Sequence, residues 1–352
     1  MLGIDKSKLN NITINYIDID KFRSNDNVTV ATLPPQAHGY LIPTDDDYIN
    51  VSYLGITDEA LFDKLQVGIK KNKGSINPYA LLEITIADNT NNNLIPYSVS
   101  DYHSRLERIA QYLEQRYGLY VTYENATFSE LELNVTQKMH DSMTAYYHIL
   151  SLMLNNAPKR YKTRALYTSS NGSLTGLTAS NNSTQLKIYD KTHQLDTCFK
   201  IKVNGEYMRI EYTLKNSQRI KRALGTTSLS EITDNKIKQF LHTEIEKDLI
   251  SPLMAHIEYS NKELKKLYRQ VKSTTKRGYI KEFTLKALSK PLNTQGDQFL
   301  LFDIQQIKDI ATASDKNNKA RSIKLIDSLT EDHSRFQNNF EKLNEIINKF
   351  TK

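Results

Sequence analysis

The chain has 352 residues, 39% hydrophobic and 25% charged, with a mean hydropathy of -0.56, a balance expected of a soluble globular protein with room for more than one domain. A lone cysteine, Cys198, excludes internal disulfides and cysteine-based zinc sites; with no apolar run of about eighteen residues and no leader-like start, no membrane and a cytoplasmic location are expected. The net charge of +7 is concentrated in the middle: residues 159–218 hold 10 Lys/Arg against 4 Asp/Glu and residues 219–290 hold 16 against 8, whereas residues 1–158 are acidic, 12 against 19.

Along the first two-thirds, short β-rich runs dominate. Residues 11–19, 48–56, 65–70, 80–88, 128–135, 183–190 and 206–214 alternate or cluster β-branched and aromatic side chains and are predicted as strands. Two segments have helical spacing instead. Residues 101–118 put Leu106, Ile109, Leu113 and Tyr117 on one face and end at Gly118, a suitable C-cap; residues 137–156 repeat the pattern and stop before Pro158. After residue 225 the texture becomes helical, beginning with the capping-box pattern Ser228–Glu231 and continuing through predicted helices at 261–272, 303–313 and 319–350. The expected fold class is therefore α+β: an antiparallel-sheet domain with crossing helices over 1–225, followed by a mainly helical domain over 226–352.

The chemistry is narrowed by what is missing. There is no phosphate-loop motif, no dinucleotide-binding glycine pattern, no nucleophile-elbow serine and no closely spaced histidine pair among the eight histidines. A metal, if bound, must be held by carboxylates, which suits a hard cation such as Mg2+ or Mn2+. Glu83, Glu130, Glu132 and Glu211 all fall inside predicted strands, where a carboxylate costs free energy unless it finds water, a partner or a metal. Each alone is also what the solvent side of an antiparallel strand carries. Alternation puts Glu130 and Glu132 on one face, opposite Leu131 and Leu133. Among 21 tyrosines, Tyr189 is set apart by LKIYDK, where Lys191 follows two residues later and is expected on the same strand face. A lysine there would favour the phenolate or bind a phosphate oxygen.

Four motifs in order resemble those of rolling-circle replication initiators, in particular the filamentous-phage gene II replication protein: residues 65–88, 123–134, 173–195 and 206–225. The resemblance covers roughly residues 10–225. It implies that Tyr189 is a nicking nucleophile, that Lys191 is its companion, and that Glu83, Glu132 and Glu211 hold the divalent cation, with Glu130 as the alternative to Glu132. It also implies attack on DNA to give a 5′-phosphotyrosine and a 3′-hydroxyl that primes synthesis, with origin DNA, duplex and single-stranded, as partner and a host helicase and polymerase downstream. The basic residues expected to hold DNA are Lys159, Arg160, Lys162, Arg164, Arg209, Arg219, Lys221 and Arg222. Lys262, Lys265, Lys266, Arg269, Lys272, Lys276 and Arg277 make the helical region either a reader of the origin duplex or a cap on the sheet. A conjugative relaxase or rolling-circle transposase would share the chemistry, and a non-catalytic DNA-binding protein would need only the basic middle. The oligomeric state is not encoded in any recognisable pattern.

Overall fold

The computed structural model describes residues 2–18, 21, 24, 28–32, 50–58, 62–71, 79–87, 94–275, 277–289, 304–313, 318–330 and 334–351; side chains of 17, 28–32, 50–58, 62–71, 79–87, 289 and 334–339 lie outside the description. The described strands are β1 (Leu2–Asn10), β2 (Ile12–Ile17), β3 (Val28–Thr32), β4 (Asn50–Asp58), β5 (Phe62–Lys71), β6 (Tyr79–Ala87), β7 (Leu119–Thr122), β8 (Thr127–Met139), β9 (Thr163–Thr168), β10 (Leu174–Ser180), β11 (Thr184–Asp190) and β12 (Glu206–Leu214). The described helices are α1 (Val99–Tyr117), α2 (Tyr147–Asn156), α3 (Lys191–Phe199), α4 (Ser217–Leu224), α5 (Asp234–Ile245), α6 (Ser251–Thr274), α7 (Tyr279–Ser289), α8 (Ile304–Ala313), α9 (Lys319–Thr330) and α10 (Ser334–Phe350). The class is α+β, an antiparallel sheet with helices followed by a mainly helical region, as the sequence pattern predicts.

Two compact units divide the chain elsewhere than at residue 225. The first comprises Met1–His140 and Thr178–Leu241, the second Asp141–Leu177 and His242–Lys352. Residues 141–177 fall in the helical unit because α2 packs on α6 and α10. In the first unit the strand order is β3-β4-β5-β6-β1-β8-β12-β11-β10, with β2 pairing β6 and β7. Its centre is antiparallel throughout: β1 pairs β6 and β8, β8 pairs β12, and β12 pairs β11.

The two faces of this centre differ. On β12, Met208, Ile210, Tyr212 and Leu214 point one way with Leu131 and Leu133 of β8 and Leu186 and Ile188 of β11, and all are buried. α4 packs on β8 and β12, where Ile220 and Leu224 are buried. Arg209, Glu211 and Thr213 alternate onto the opposite face, and the register aligns them with Thr136, Asn134 and Glu132 of β8. The period of two thus sorts hydrocarbon from charge.

Several local expectations change. Residues 137–156 are not one helix: β8 continues to Met139, a 3-10 turn spans Met143–Tyr146, and only α2 is helical, because Gln137 and Met139 stay paired to β12. The span 319–350 is split into α9 and α10. Ser228 precedes a 3-10 turn without a side-chain cap, and the helix itself begins at Asp234. The helix at 101–118 is as expected, with Gly118 in the left-handed conformation at φ 67° as C-cap. β1 was not anticipated. Gly3 is required there, since any Cβ would collide with the Tyr97 carbonyl that accepts from Ile4 N at 2.9 Å.

Leu133→Ala is expected to cost about 2–5 kcal/mol by emptying a fully buried place on the apolar face. Glu130→Gln, which loosens only the 3.6 Å pair with Lys6, should cost less than about 1 kcal/mol. Urea denaturation of the two variants measures the contrast.

Candidate active site

The polar face of β1, β8, β12 and β11 gathers three carboxylates. Asp5, Glu132 and Glu211 each place an oxygen within 4.8 Å of the others, and among the described residues they form the one such group. Glu132 and Glu211 reach it by strand alternation. Asp5 does so at an irregularity in β1, where the pairing with β8 shifts register between Ile4 and Lys6.

Two cations hold the group together. Lys187 lies on β11 directly opposite Glu211. Its Nζ contacts Glu211 Oε1 and stands 3.2 Å from Glu132 Oε2. Arg209 is fully buried and donates to Thr136 Oγ1 at 2.7 Å, Asp5 Oδ2 at 3.3 Å and the Leu94 carbonyl at 3.1 Å. Thr213 donates to Glu132 at 2.8 Å. Into this network Tyr189 sends its hydroxyl, which donates to Glu211 Oε2 at 3.2 Å.

Protonation follows from burial. Glu211 is pushed up to about 8, first by loss of water and then by the Glu132 charge, with Lys187 pulling the other way. Burial would lower Lys187, but the facing Glu211 and Glu132 carboxylates outweigh it and hold the lysine charged beyond its ordinary range. Tyr189 is raised well above 10, by burial first and by Glu211 second, with Arg209 opposing. The expectation that a neighbouring lysine favours the phenolate is therefore not met by this arrangement: the phenol keeps its proton and offers it to Glu211.

Lys191 is not on the strand. β11 ends at Asp190, whose carboxylate caps α3 by accepting from His193 N at 2.8 Å, so Lys191 begins the helix. It is fully buried, with Nζ 2.9 Å from Gln194 Oε1 and 5.9 Å from the Tyr189 ring centroid. The lysine that meets the carboxylates is Lys187, two residues before the tyrosine. Strand alternation through LKIYD already placed it on the tyrosine's face. Glu130 pairs with Lys6 and is not part of the group. The side chain of Glu83, a proposed ligand, lies outside the described residues; its backbone is opposite Gly68 in the β5–β6 pairing.

The basic residues expected on DNA separate into kinds. Arg209 is corrected outright, since a buried guanidinium engaged by Thr136, Asp5 and Leu94 cannot meet a phosphate backbone. In the second unit, Arg160 is bound to Asp248 and to Glu244 at 2.7 Å. Arg164 donates to the carbonyls of Asn155, Ala157 and Pro158, and Lys159 and Lys162 are exposed. In the first unit Arg219 donates to Thr184 Oγ1 at 3.0 Å, while Lys221 and Arg222 are exposed on α4.

No protein-family model and no curated protein matches the sequence. Among solved structures, a rolling circle replication initiator protein from Geobacillus stearothermophilus aligns over 70% of this chain and 86% of its own at 11% identity, with a TM-score of 0.37. A likeness that coarse carries no functional weight, and the chemistry rests on the side chains.

Asp5, Glu132 and Glu211 present only oxygen donors, and full ionisation leaves one negative charge over Lys187 and Arg209, so the group suits a hard divalent cation. Without metal, Glu211 at about 8, against 4.5 for an ordinary glutamate, binds its proton more tightly folded than unfolded. Its contribution to stability is full below 4.5 and is lost as pH rises to about 8. In chelator, the melting temperature should fall across that window. Mn2+ should restore more at pH 8 than at pH 6, and Glu211→Gln should flatten both responses in a thermal-shift series.

Proposed function

We propose that the chain is a metal-dependent DNA strand nickase and transferase with Tyr189 as nucleophile, acting as an initiator of rolling-circle replication at a phage or plasmid origin. The observation that supports this most is the Tyr189 hydroxyl held 3.2 Å from Glu211 beside a group of three carboxylates, with the Lys187 side chain at that group partly exposed.

The residues divide the work. Glu211, whose Oε2 receives the Tyr189 hydroxyl at 3.2 Å, accepts the phenol proton when it is ionised. The freed phenolate oxygen attacks phosphorus; the new O–P bond is a 5′-phosphotyrosine, and the P–O3′ bond breaks to leave a 3′-hydroxyl after protonation. Lys187, charged and partly exposed, lies two residues before the tyrosine on the same face of β11 and stabilises charge gathering on the phosphoryl oxygens. A divalent cation on Asp5, Glu132 and Glu211, when bound, supplies Lewis-acid polarisation of a non-bridging oxygen. Arg209 positions Asp5 from beneath. Lys221 and Arg222 offer phosphate contacts on the exposed side of α4.

On this reading a host helicase must separate the strands, because the chain has no phosphate-loop motif, and a host polymerase extends the 3′-hydroxyl.

Incubation with supercoiled origin DNA and Mn2+ should give open circles with protein covalently attached. Tyr189→Phe should lower adduct formation at least about a thousandfold, the scale of losing a nucleophile, while duplex binding survives. Normal nicking by that variant would sink the proposal. Lys187→Ala should slow the covalent step about a hundredfold or more.

A further inference from the structure

The second unit contains a cavity that the chemistry above does not use. It has a volume of about 630 Å³ and lies between α6 and α8. That size is in the range of sites that enclose small ligands. Tyr268 and Ile310 of the buried core of this unit reach its lining.

One wall is cationic. Lys265, Arg269 and Lys272 line it from α6, all exposed at their outer ends. Spaced four and three residues apart, they form a row about 10 Å long on one helix face. Lys272 is held in place by the rings of Tyr268 and Tyr279, each centroid 5.7 Å from Nζ. Neither Lys265 nor Arg269 forms an ion pair among the described residues, so their charge is available to an anion.

The rest of the lining is of another kind. Asn261 and Gln306 bring amides, Asp309 brings a carboxylate oriented by the Gln305 amide at 2.7 Å, and Ile310 and Ala313 bring hydrocarbon. A bare phosphate could use the amide N–H donors but has no use for the apolar patch, and Asp309 repels it. An acidic peptide would meet the same repulsion. A nucleobase needs all three: an apolar surface for its face, amides for its edge, and a carboxylate that accepts from an exocyclic amino group.

We infer that this cavity is a binding site for single-stranded nucleic acid, with successive phosphates along Lys265, Arg269 and Lys272 and an unpaired base inside. A free nucleotide would use only part of a row this long, and Lys262 and Lys266 extend the exposed charge further along α6. A duplex keeps its base edges paired and cannot lower a base into a concave site without breaking the pair. The choice of DNA as the strand rests on the proposed nicking function; the site itself does not.

The test uses the full chain and its Lys265→Ala/Arg269→Ala variant, two exposed positions whose loss leaves the core intact, with circular dichroism melting as a check. Binding of a fluorescent, mixed-sequence single-stranded oligonucleotide is followed by anisotropy as salt is raised. The logarithmic salt slope should fall by about 1.4, two contacts at about 0.7 each for a single strand. Affinity should drop roughly tenfold or more at moderate salt, and Asp309→Asn should weaken preference for amino-bearing bases. An unchanged slope, an equal loss for duplex DNA, or competition by a mononucleotide as effective as the strand would each overturn the inference. Tyr189→Phe separates the two readings, since loss of nicking there must leave oligonucleotide binding at this cavity unaltered.

Discussion

The structure of the first unit depends on gathering three carboxylates, two of them buried and the third half-buried, on one sheet face. Asp5, Glu132 and Glu211 lie within 4.8 Å of one another, where water screens little and like charges repel strongly. Lys187 and Arg209 meet this repulsion at different carboxylates: Lys187 bridges Glu132 and Glu211, and Arg209 binds Asp5. Each cation is fixed by strand register. Lys187 faces Glu211 across the β11–β12 ladder, and Arg209 lies next to Glu211 along β12 on the same face. A one-residue slip of β12 would send Arg209 and Glu211 into the hydrocarbon side and Ile210 and Tyr212 into the charged side. The apolar packing that fixes the register therefore also fixes the site.

How much of this could be read from the sequence depended on whether a residue's surroundings were local. Period-two alternation located β8, β11 and β12 and put Glu130, Glu132 and Glu211 inside strands, but the choice of Glu132 over Glu130, and of Tyr189 among 21 tyrosines, came only from the resemblance. Asp5 was not legible, because LGIDKSKLN reads as a polar N-terminus and the carboxylate arrives at the site only through a register shift whose partner, β8, is more than a hundred residues away. Lys187 was legible and overlooked, being on the tyrosine's face two residues earlier. Lys191 was misplaced because the strand stops at Asp190, whose side chain satisfies a helix N-terminus and diverts the chain. Arg209 read as a surface cation because nothing in EYMRIEYTL shows that both faces of β12 are buried.

The same nonlocality explains the helical errors. Residues 137–156 have helical spacing throughout, yet Gln137 and Met139 remain strand because β12 provides their backbone partners. Ladder bonds made by a distant strand outweigh a local preference worth tenths of a kcal/mol per residue. Helix α1 escaped this competition. It begins at Ser98, which accepts from Asp101 N, ends at a left-handed Gly118, and buries Leu106, Ile109 and Leu113 along one stripe, so every signal was within its own span.

The charge count of the site constrains how a polyanion is brought to it. With three carboxylates against Lys187 and Arg209, the ionised group is negative by one, and protonating Glu211 makes it neutral. Neither state attracts a phosphate backbone. On the proposed nicking function, capture of the strand falls to cations outside the group, such as Lys221 and Arg222 on α4, which are exposed and act through the solvent. Those contacts weaken as salt displaces them, whereas buried ion pairs around Glu211 are screened little. Strand binding and the chemical step should therefore respond differently to ionic strength, with the first falling steeply and the second, once DNA saturates the protein, nearly insensitive.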